Sequence, residues 1–251
     1  MSDRSVAVSR ESTSRLDAAL CGLLVGVCIV TVWPFCGGPF SDDFSYTKTA
    51  LDFARSGQFH YNGWATAMVG WQAIWGALFI KLFGFSFNVV RLSLLPFAML
   101  NAYFFHQVLI QFGLSARNAI FGTLTLCLSP LCFLLSTSFM TDLTGLFAVI
   151  LCLYMCQRAI RAATGAGTVA WLVTAALLNV VTGSVRQTSW LGALVVVPSA
   201  TWYLRRRANV LVAGIVTTVL SAAVIAACMH WVNGQLYFQP EALFIQPFGT
   251  A

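Results

Sequence analysis

Ser41-Asp42-Asp43 holds the only adjacent pair of carboxylates in a chain with 8 Asp plus Glu among 251 residues, and it stands just beyond the first long apolar run, Leu16 to Phe35. A carboxylate at the bilayer centre costs roughly 2.5 to 3.5 kcal/mol on insertion scales, so acids in or beside a membrane are functional candidates by default. Such an acid can act as a general base toward a hydroxyl, and cations beside it can stabilise a departing phosphate. Asp42 is the candidate base. Arg186 is the first candidate for the phosphate, because a fixed guanidinium suits phosphate oxygens; Arg91 and Lys48 are the alternatives. Asp142 either orients an acceptor or caps a helix. His60 joins Asp42 or Asp43 in a divalent-metal site, or is a solvated loop histidine. The competing reading of the pair itself is a helix cap ahead of Phe44, where Ser and Asp are favoured. His106 and His230 are expected to satisfy local hydrogen bonds.

These residues must be positioned by membrane helices. The chain is 59% hydrophobic and 9% charged, with a mean hydropathy of +0.80, against about 45–50% apolar and about 25% charged in soluble domains. About 20 helical residues cross roughly 30 Å of hydrocarbon. Seven runs read as spans: Leu16 to Phe35, Val89 to Phe112, Ala119 to Leu135, Met140 to Gln157, Val169 to Val185, Trp190 to Leu204 and Val210 to Val232. The expected fold is therefore all-α and polytopic. Residues 1–15 form a cytoplasmic tail, and 16–251 a single transmembrane domain whose outer loop, 36–88, carries the acid pair. The first run is longer than a signal-peptide core of about 7 to 15 residues and reads as an uncleaved span.

The net charge of +6 comes from cations that are scattered or sit in short loops; topology explains them better than a polyanionic partner, so no nucleic-acid partner is expected. With the N-terminus inside, the inner loops carry Arg4, Arg10, Arg15, Arg117, Arg158, Arg161 and Arg205-Arg206-Arg207. The outer side keeps Lys48, Arg55, Lys81, Arg91 and Arg186, as the positive-inside rule asks. Asp42, Asp43, Asp142 and Arg186 then share the exoplasmic side. Within the outer loop Phe44 to Arg55 reads as a short helix stopped at Ser56-Gly57, with Lys48 and Asp52 as an i,i+4 pair. Thr66 to Phe83 reads as a second helix lying in the interface; the alternative is a further span, which would reverse everything after it and move Asp142 and Arg186 inside, and the arginine asymmetry argues against it. The Trp residues on this side (Trp33, Trp64, Trp71, Trp75, Trp190, Trp231) read as an interface belt, with sugar stacking on Trp71 or Trp75 as the alternative. The cysteines read as small hydrophobes; no CxxC pair or disulfide framework is present.

The loop Ser41-Asp42-Asp43-Phe44-Ser45-Tyr46, a helix ending Ala54-Arg55-Ser56-Gly57, a Trp-rich helix ending Leu82-Phe83-Gly84-Phe85, and Val90-Arg91-Leu92 occur in that order. This layout resembles the protein O-mannosyltransferase and lipid A aminoarabinose transferase branch of the GT-C membrane glycosyltransferases. The resemblance implies a sugar donor carried on a polyprenyl phosphate, and transfer to a lipid, polysaccharide or protein acceptor on the outer face with inversion at the anomeric carbon. It implies Asp42 as catalytic base, Asp43 as its acidic neighbour, and Tyr46 as an aromatic of the adjoining helix. Met140-Thr141-Asp142 matches an acid after the third or fourth span, and Arg186-Gln187-Thr188 resembles an Arg-Gln-Thr motif of lipid-linked glucosyltransferases. A bacterial inner-membrane location follows from the same resemblance. The chain departs from the branch at Ser45, where an Arg is frequent, and at Ala67-Met68-Val69, where a Lys-Pro-Pro-like element is frequent. It also ends at Ala251, soon after the seventh run, which implies a shared module, truncated or completed by a further membrane subunit. The readings of a different class are a transporter or flippase and a noncatalytic membrane subunit.

Overall fold

The computed structural model describes residues 2–32, 38–64 and 66–238, with residues 2–12 described by their backbone alone. The end of the first run at Trp33-Pro34-Phe35, Cys36 and the side chains of Arg4 and Arg10 lie outside the described residues. Among these residues every regular element is helical: α1 Ser2–Val32, α2 Asp43–Ser56, α3 Gly70–Phe83, α4 Phe87–Leu92, α5 Leu95–Gln111, α6 Ala116–Cys127, α7 Pro130–Ser136, α8 Thr141–Arg161, α9 Gly165–Thr182, α10 Val197–Tyr203 and α11 Ala208–Asn233. Five segments are long and apolar enough to cross a membrane: Thr13–Val32, Phe87–Gln111, Thr141–Arg161, Gly165–Val185 and Ala208–Asn233. Their outward faces are apolar as well. Leu23, Val27 and Val30 on α1, and Val212, Val219 and Val224 on α11, are exposed, a distribution suited to lipid contact.

The other two expected spans depart from a single regular helix, each for a physical reason. Ala119 to Leu135 is broken between α6 and α7 by a bend of 65°. Pro130 has no N–H to donate and pushes Ser129 into an extended conformation (φ −58°, ψ 145°), where the Ser129 hydroxyl caps α7 by accepting from Cys132 N–H. Trp190 to Leu204 runs through a 3-10 turn (Gln187–Trp190), a π segment (Gly192–Val196) and α10. Here Asn179 of α9, fully buried, enters the backbone ladder. Its Oδ1 accepts from Ala193 N–H at 2.7 Å, and its Nδ2 donates to Ser189 and Ala148 carbonyls at 3.1 Å. A side chain inserted in this way is one of the recognised causes of an irregular turn. Gly192 leaves it room, since a Cβ there would lie 2.3 Å from Asn179 Nδ2.

The legs join two ends. At one end Gln107 of α5 donates to the Ser14 carbonyl of α1 at 2.9 Å, Arg161 of α8 donates to the Gln111 carbonyl, and Arg207 donates to Thr168 of α9. At the other end the segment 38–93 meets the start of α8, the end of α9 and the end of α11. The arginines Arg158, Arg161 and Arg205 to Arg207 stand at the first, and the acids Asp42, Asp43 and Asp142 at the second.

α2 matches the expected short helix, and Gly57 ends it in the left-handed conformation (φ 72°, ψ 8°), its N–H donating to the Phe53 carbonyl. α3 begins later than expected, at Gly70, and at 14 residues spans about 21 Å at 1.5 Å per residue, too short alone to cross. The reason is the turn before it. Val69 has φ 60° and ψ −32°, and Gly70 N–H donates to the Met68 carbonyl at 2.7 Å, a γ-turn of the rarer, strained hand. Val69 N–H is held by the Val185 carbonyl at 3.0 Å, and Gly70 (φ 41°) abuts Ser184, where a Cβ would lie 2.3 Å from the backbone carbonyl oxygen. Gly70→Ala should therefore lower stability by about 2–3 kcal/mol, by combining backbone strain with a clash against backbone. Gly57→Ala, where no atom lies within 4 Å of the added Cβ, should cost only about 1 kcal/mol. Melting of the detergent-solubilised variants checks both; equal losses would show that the Gly70 contact is not tight.

Candidate functional site

The adjacent acids have separate fates. Asp43 is wholly buried and Arg91 is 2% exposed. Arg91 Nε and Nη2 both reach Asp43 Oδ2, at 2.7 and 2.6 Å, while Phe40 N–H donates to Oδ1 at 2.7 Å and Arg91 Nη2 donates to the Gly38 carbonyl at 2.9 Å. This pair ties the entry to α2 onto α4. The sequence places Asp43 at the chemistry and Arg91 on substrate; in the structure neither side chain faces solvent, and each is occupied by the other.

Asp42 turns the other way. Its carbonyl accepts from Ser45 and Tyr46 N–H, but its carboxylate makes no capping hydrogen bond; the only hydrogen bond it accepts among the described residues is from Trp64 Nε1, at 3.0 Å on Oδ1. Side-chain capping, the competing reading of Asp42, is thus not what the geometry shows. Half-exposed and in no ion pair among the described residues, Asp42 is the available carboxylate.

Asp142 and Arg186 converge from chain positions 44 residues apart, with Nη1 2.6 Å from Oδ1 and about a third of each side chain exposed. Met140 occupies the cap position of α8, so Asp142 is in the first turn and its carboxylate serves Arg186. Tyr46 joins this pair to Asp42. Its phenol is pushed up from the ordinary tyrosine value by burial first and by the Asp42 carboxylate next, against the opposing pull of Arg186. It therefore remains a neutral hydroxyl at physiological pH. Thr141 faces it with a buried hydroxyl that has no hydrogen bond of normal geometry. Asp42, Tyr46, Asp142 and Arg186 form one cluster, drawn from α2, α8 and the turn after α9.

Beside it lies an apolar cavity of about 190 Å³, between the bent α6–α7 pair and α8. Leu126, Leu131, Leu135, Leu143 and Leu146 line it, and Asp142 stands at its edge. The pattern of apolar residues alone gave no sign of it, because it exists only through the break at Ser129-Pro130.

The remaining candidates lie apart. Lys48 is exposed and forms no ion pair among the described residues, with Asp52 or any other acid. His60 lines a separate cavity with Phe59, Tyr61, Trp231 and Tyr237, and no three His, Cys, Asp or Glu side chains converge for a metal among the described residues. Trp71 and Trp75 are packing residues. Their N–H groups donate to Thr182 and Ser93 carbonyls at 2.9 and 2.8 Å, and their rings pack on Phe97 at 4.8 and 5.6 Å. His106 is fully buried without the expected local hydrogen bonds, neither ring nitrogen having a partner among the described residues.

Gln72 supports the cluster and escaped sequence reasoning. Buried in α3, it donates to the Phe139 carbonyl at 3.1 Å and accepts from the Thr144 hydroxyl, which fixes the strand of chain leading into Asp142. A polar residue amid the apolar stretch of α3 was the available signal. Comparison with known families, curated proteins and solved structures finds no match to this chain.

Proposed function

We propose that the chain is a GT-C-type membrane glycosyltransferase with seven crossings and a cytoplasmic N-terminus, and that the acid-pair end is exoplasmic. The observation carrying this reading is an apolar groove ending at a partly exposed carboxylate–guanidinium pair, beside a carboxylate that has no ion pair among the described residues. A substrate with an apolar chain and an anionic head matches that arrangement, as a sugar on a polyprenyl phosphate does. In the proposed step the acceptor hydroxyl gives its proton to Asp42 and its oxygen bonds to the anomeric carbon. The bond from that carbon to the phosphate oxygen breaks, and its electron pair stays on the phosphate. Attack opposite the leaving group inverts the centre. Arg186 exchanges Asp142 for the phosphate oxygens and stabilises the charge that develops there. The acceptor is a lipid, polysaccharide or protein hydroxyl.

Purified protein in proteoliposomes, supplied with undecaprenyl-phosphate-linked mannose, glucose or aminoarabinose, should release undecaprenyl phosphate in the presence of a hydroxyl acceptor. Arg186→Lys keeps the charge but loses the planar two-point contact. Its kcat/KM for the donor should fall about tenfold or more, the scale of one charge-assisted hydrogen bond. Asp142→Asn, which frees Arg186, should not raise the donor KM. Unchanged donor kinetics in Arg186→Lys would remove the phosphate role. The 65° bend between α6 and α7 favours a second reading, a lipid-linked-sugar flippase, since broken helices line transport sites. Movement of the donor between leaflets without an acceptor would favour that reading.

A further inference from the structure

We propose that Trp64 is the positioning residue for Asp42, and that its exposed ring is the platform on which the acceptor sits; this rests on the transferase reading above. Asp43 and Asp142 are held by arginines, whereas Asp42 is held by a neutral indole N–H at 3.0 Å. The difference has a chemical consequence. A guanidinium neutralises its partner's charge, whereas a single N–H orients one oxygen and leaves the carboxylate a whole anion. Oδ2 of Asp42 has no hydrogen bond among the described residues, so it is the oxygen free to take a proton.

The main chain that carries the indole is itself held in place. The Trp64 backbone N–H donates to Asn62 Oδ1 at 3.1 Å, and the same oxygen accepts from the Ser45 hydroxyl at 2.8 Å. Ser45 lies three residues after Asp42 in the first turn of α2, so loop and helix are joined at two points about the carboxylate. Yet Trp64 is 69% exposed. An indole held for packing would be covered, as Trp190 is at 2%; this one spends its N–H on Asp42 and leaves its ring open. A flat apolar face beside a proton-accepting oxygen fits a ring-shaped acceptor with a C–H face and a hydroxyl edge, namely a sugar.

Two variants divide the roles. Trp64→Phe keeps a ring and removes the donor; Trp64→Ala removes both. The first readout needs no turnover: the rate at which a water-soluble carbodiimide with glycine ethyl ester labels Asp42, followed by peptide mass spectrometry. In the parent the indole N–H occupies Asp42 Oδ1, and phenylalanine leaves that oxygen unheld and open to the reagent, so labelling of Asp42 should be at least threefold faster in Trp64→Phe than in the parent, with Asp142 unchanged. Equal labelling overturns the positioning role and leaves Trp64 an interface anchor. The second readout is kinetic, with a free oligosaccharide as acceptor. Trp64→Phe should lower kcat about tenfold with acceptor KM within twofold, and Trp64→Ala should in addition raise that KM about fivefold or more. An acceptor KM equal in the two variants overturns the platform. If the parent protein transfers no sugar, the transferase reading and the platform fall together, while the labelling alone still decides whether Trp64 positions Asp42.

Discussion

Replacing Arg91 with methionine should cost the folded protein about 3–5 kcal/mol, the usual penalty for stranding one partner of a buried ion pair. In a chain of this length that is a fall in melting temperature on the order of 10 °C. Asp43 keeps none of its surface in solvent, and among the described residues Arg91 supplies two of its hydrogen bonds and Phe40 N–H a third. Without the guanidinium the carboxylate keeps Phe40 N–H alone among the described residues, and the Gly38 carbonyl loses the Arg91 donor as well. Asp43→Asn should be costly for the mirror reason. The double variant Asp43→Leu/Arg91→Met should regain much of the loss, because replacing a whole buried pair by apolar groups is often neutral or better. A double-mutant cycle on detergent-solubilised protein measures the coupling. If Arg91→Met melted within 2 °C of the parent, the pair would not be what holds α2 to α4.

That pair also marks where sequence reasoning reached its limit. Asp42 and Asp43 are neighbours of identical chemistry, and nothing in their order says which one will be buried. The assignment is made by Arg91, 48 residues further along, whose side chain selects the carboxylate facing α4. Helix stops were legible because they rest on local chemistry: Gly57 and Gly84 end α2 and α3 where expected. The gathering of Asp142 and Arg186 with Asp42 was legible too, through the alternation of apolar runs and the placement of arginines. Long-range insertions were not. The π segment at Gly192–Val196 depends on Asn179 reaching from another helix, and the late start of α3 depends on Gly70 meeting Ser184. The Ser129-Pro130 dipeptide did carry a local signal for the bend, but the apolar run around it reads as continuous when composition alone is weighed. Trp64 offers the sharpest contrast. On composition it is one of several tryptophans at a membrane boundary, and only its N–H on Asp42 separates it from them.

Asp42→Asn should lower kcat for sugar transfer by about 10²–10⁴-fold, the range that a positioned general base contributes, with melting close to that of the parent protein. Both halves of this expectation come from the same geometry. The Asp42 carboxylate makes no bond to the N-terminus of α2, so no cap is lost, and an asparagine Oδ1 can still accept from Trp64 Nε1. What disappears is the free anionic oxygen that would take the acceptor's proton. Asp43→Asn should behave in the opposite sense, losing stability first and activity only as the fold is lost. The contrast between two adjacent acids, measured as turnover against melting temperature, separates a catalytic pair from a base beside a structural strut. Retained transfer in Asp42→Asn would remove it as the base. Asp142 would then be the remaining carboxylate of the cluster, able to act only after Arg186 had left it for the phosphate, so proton transfer would have to follow donor binding and the order of substrate addition would become obligatory.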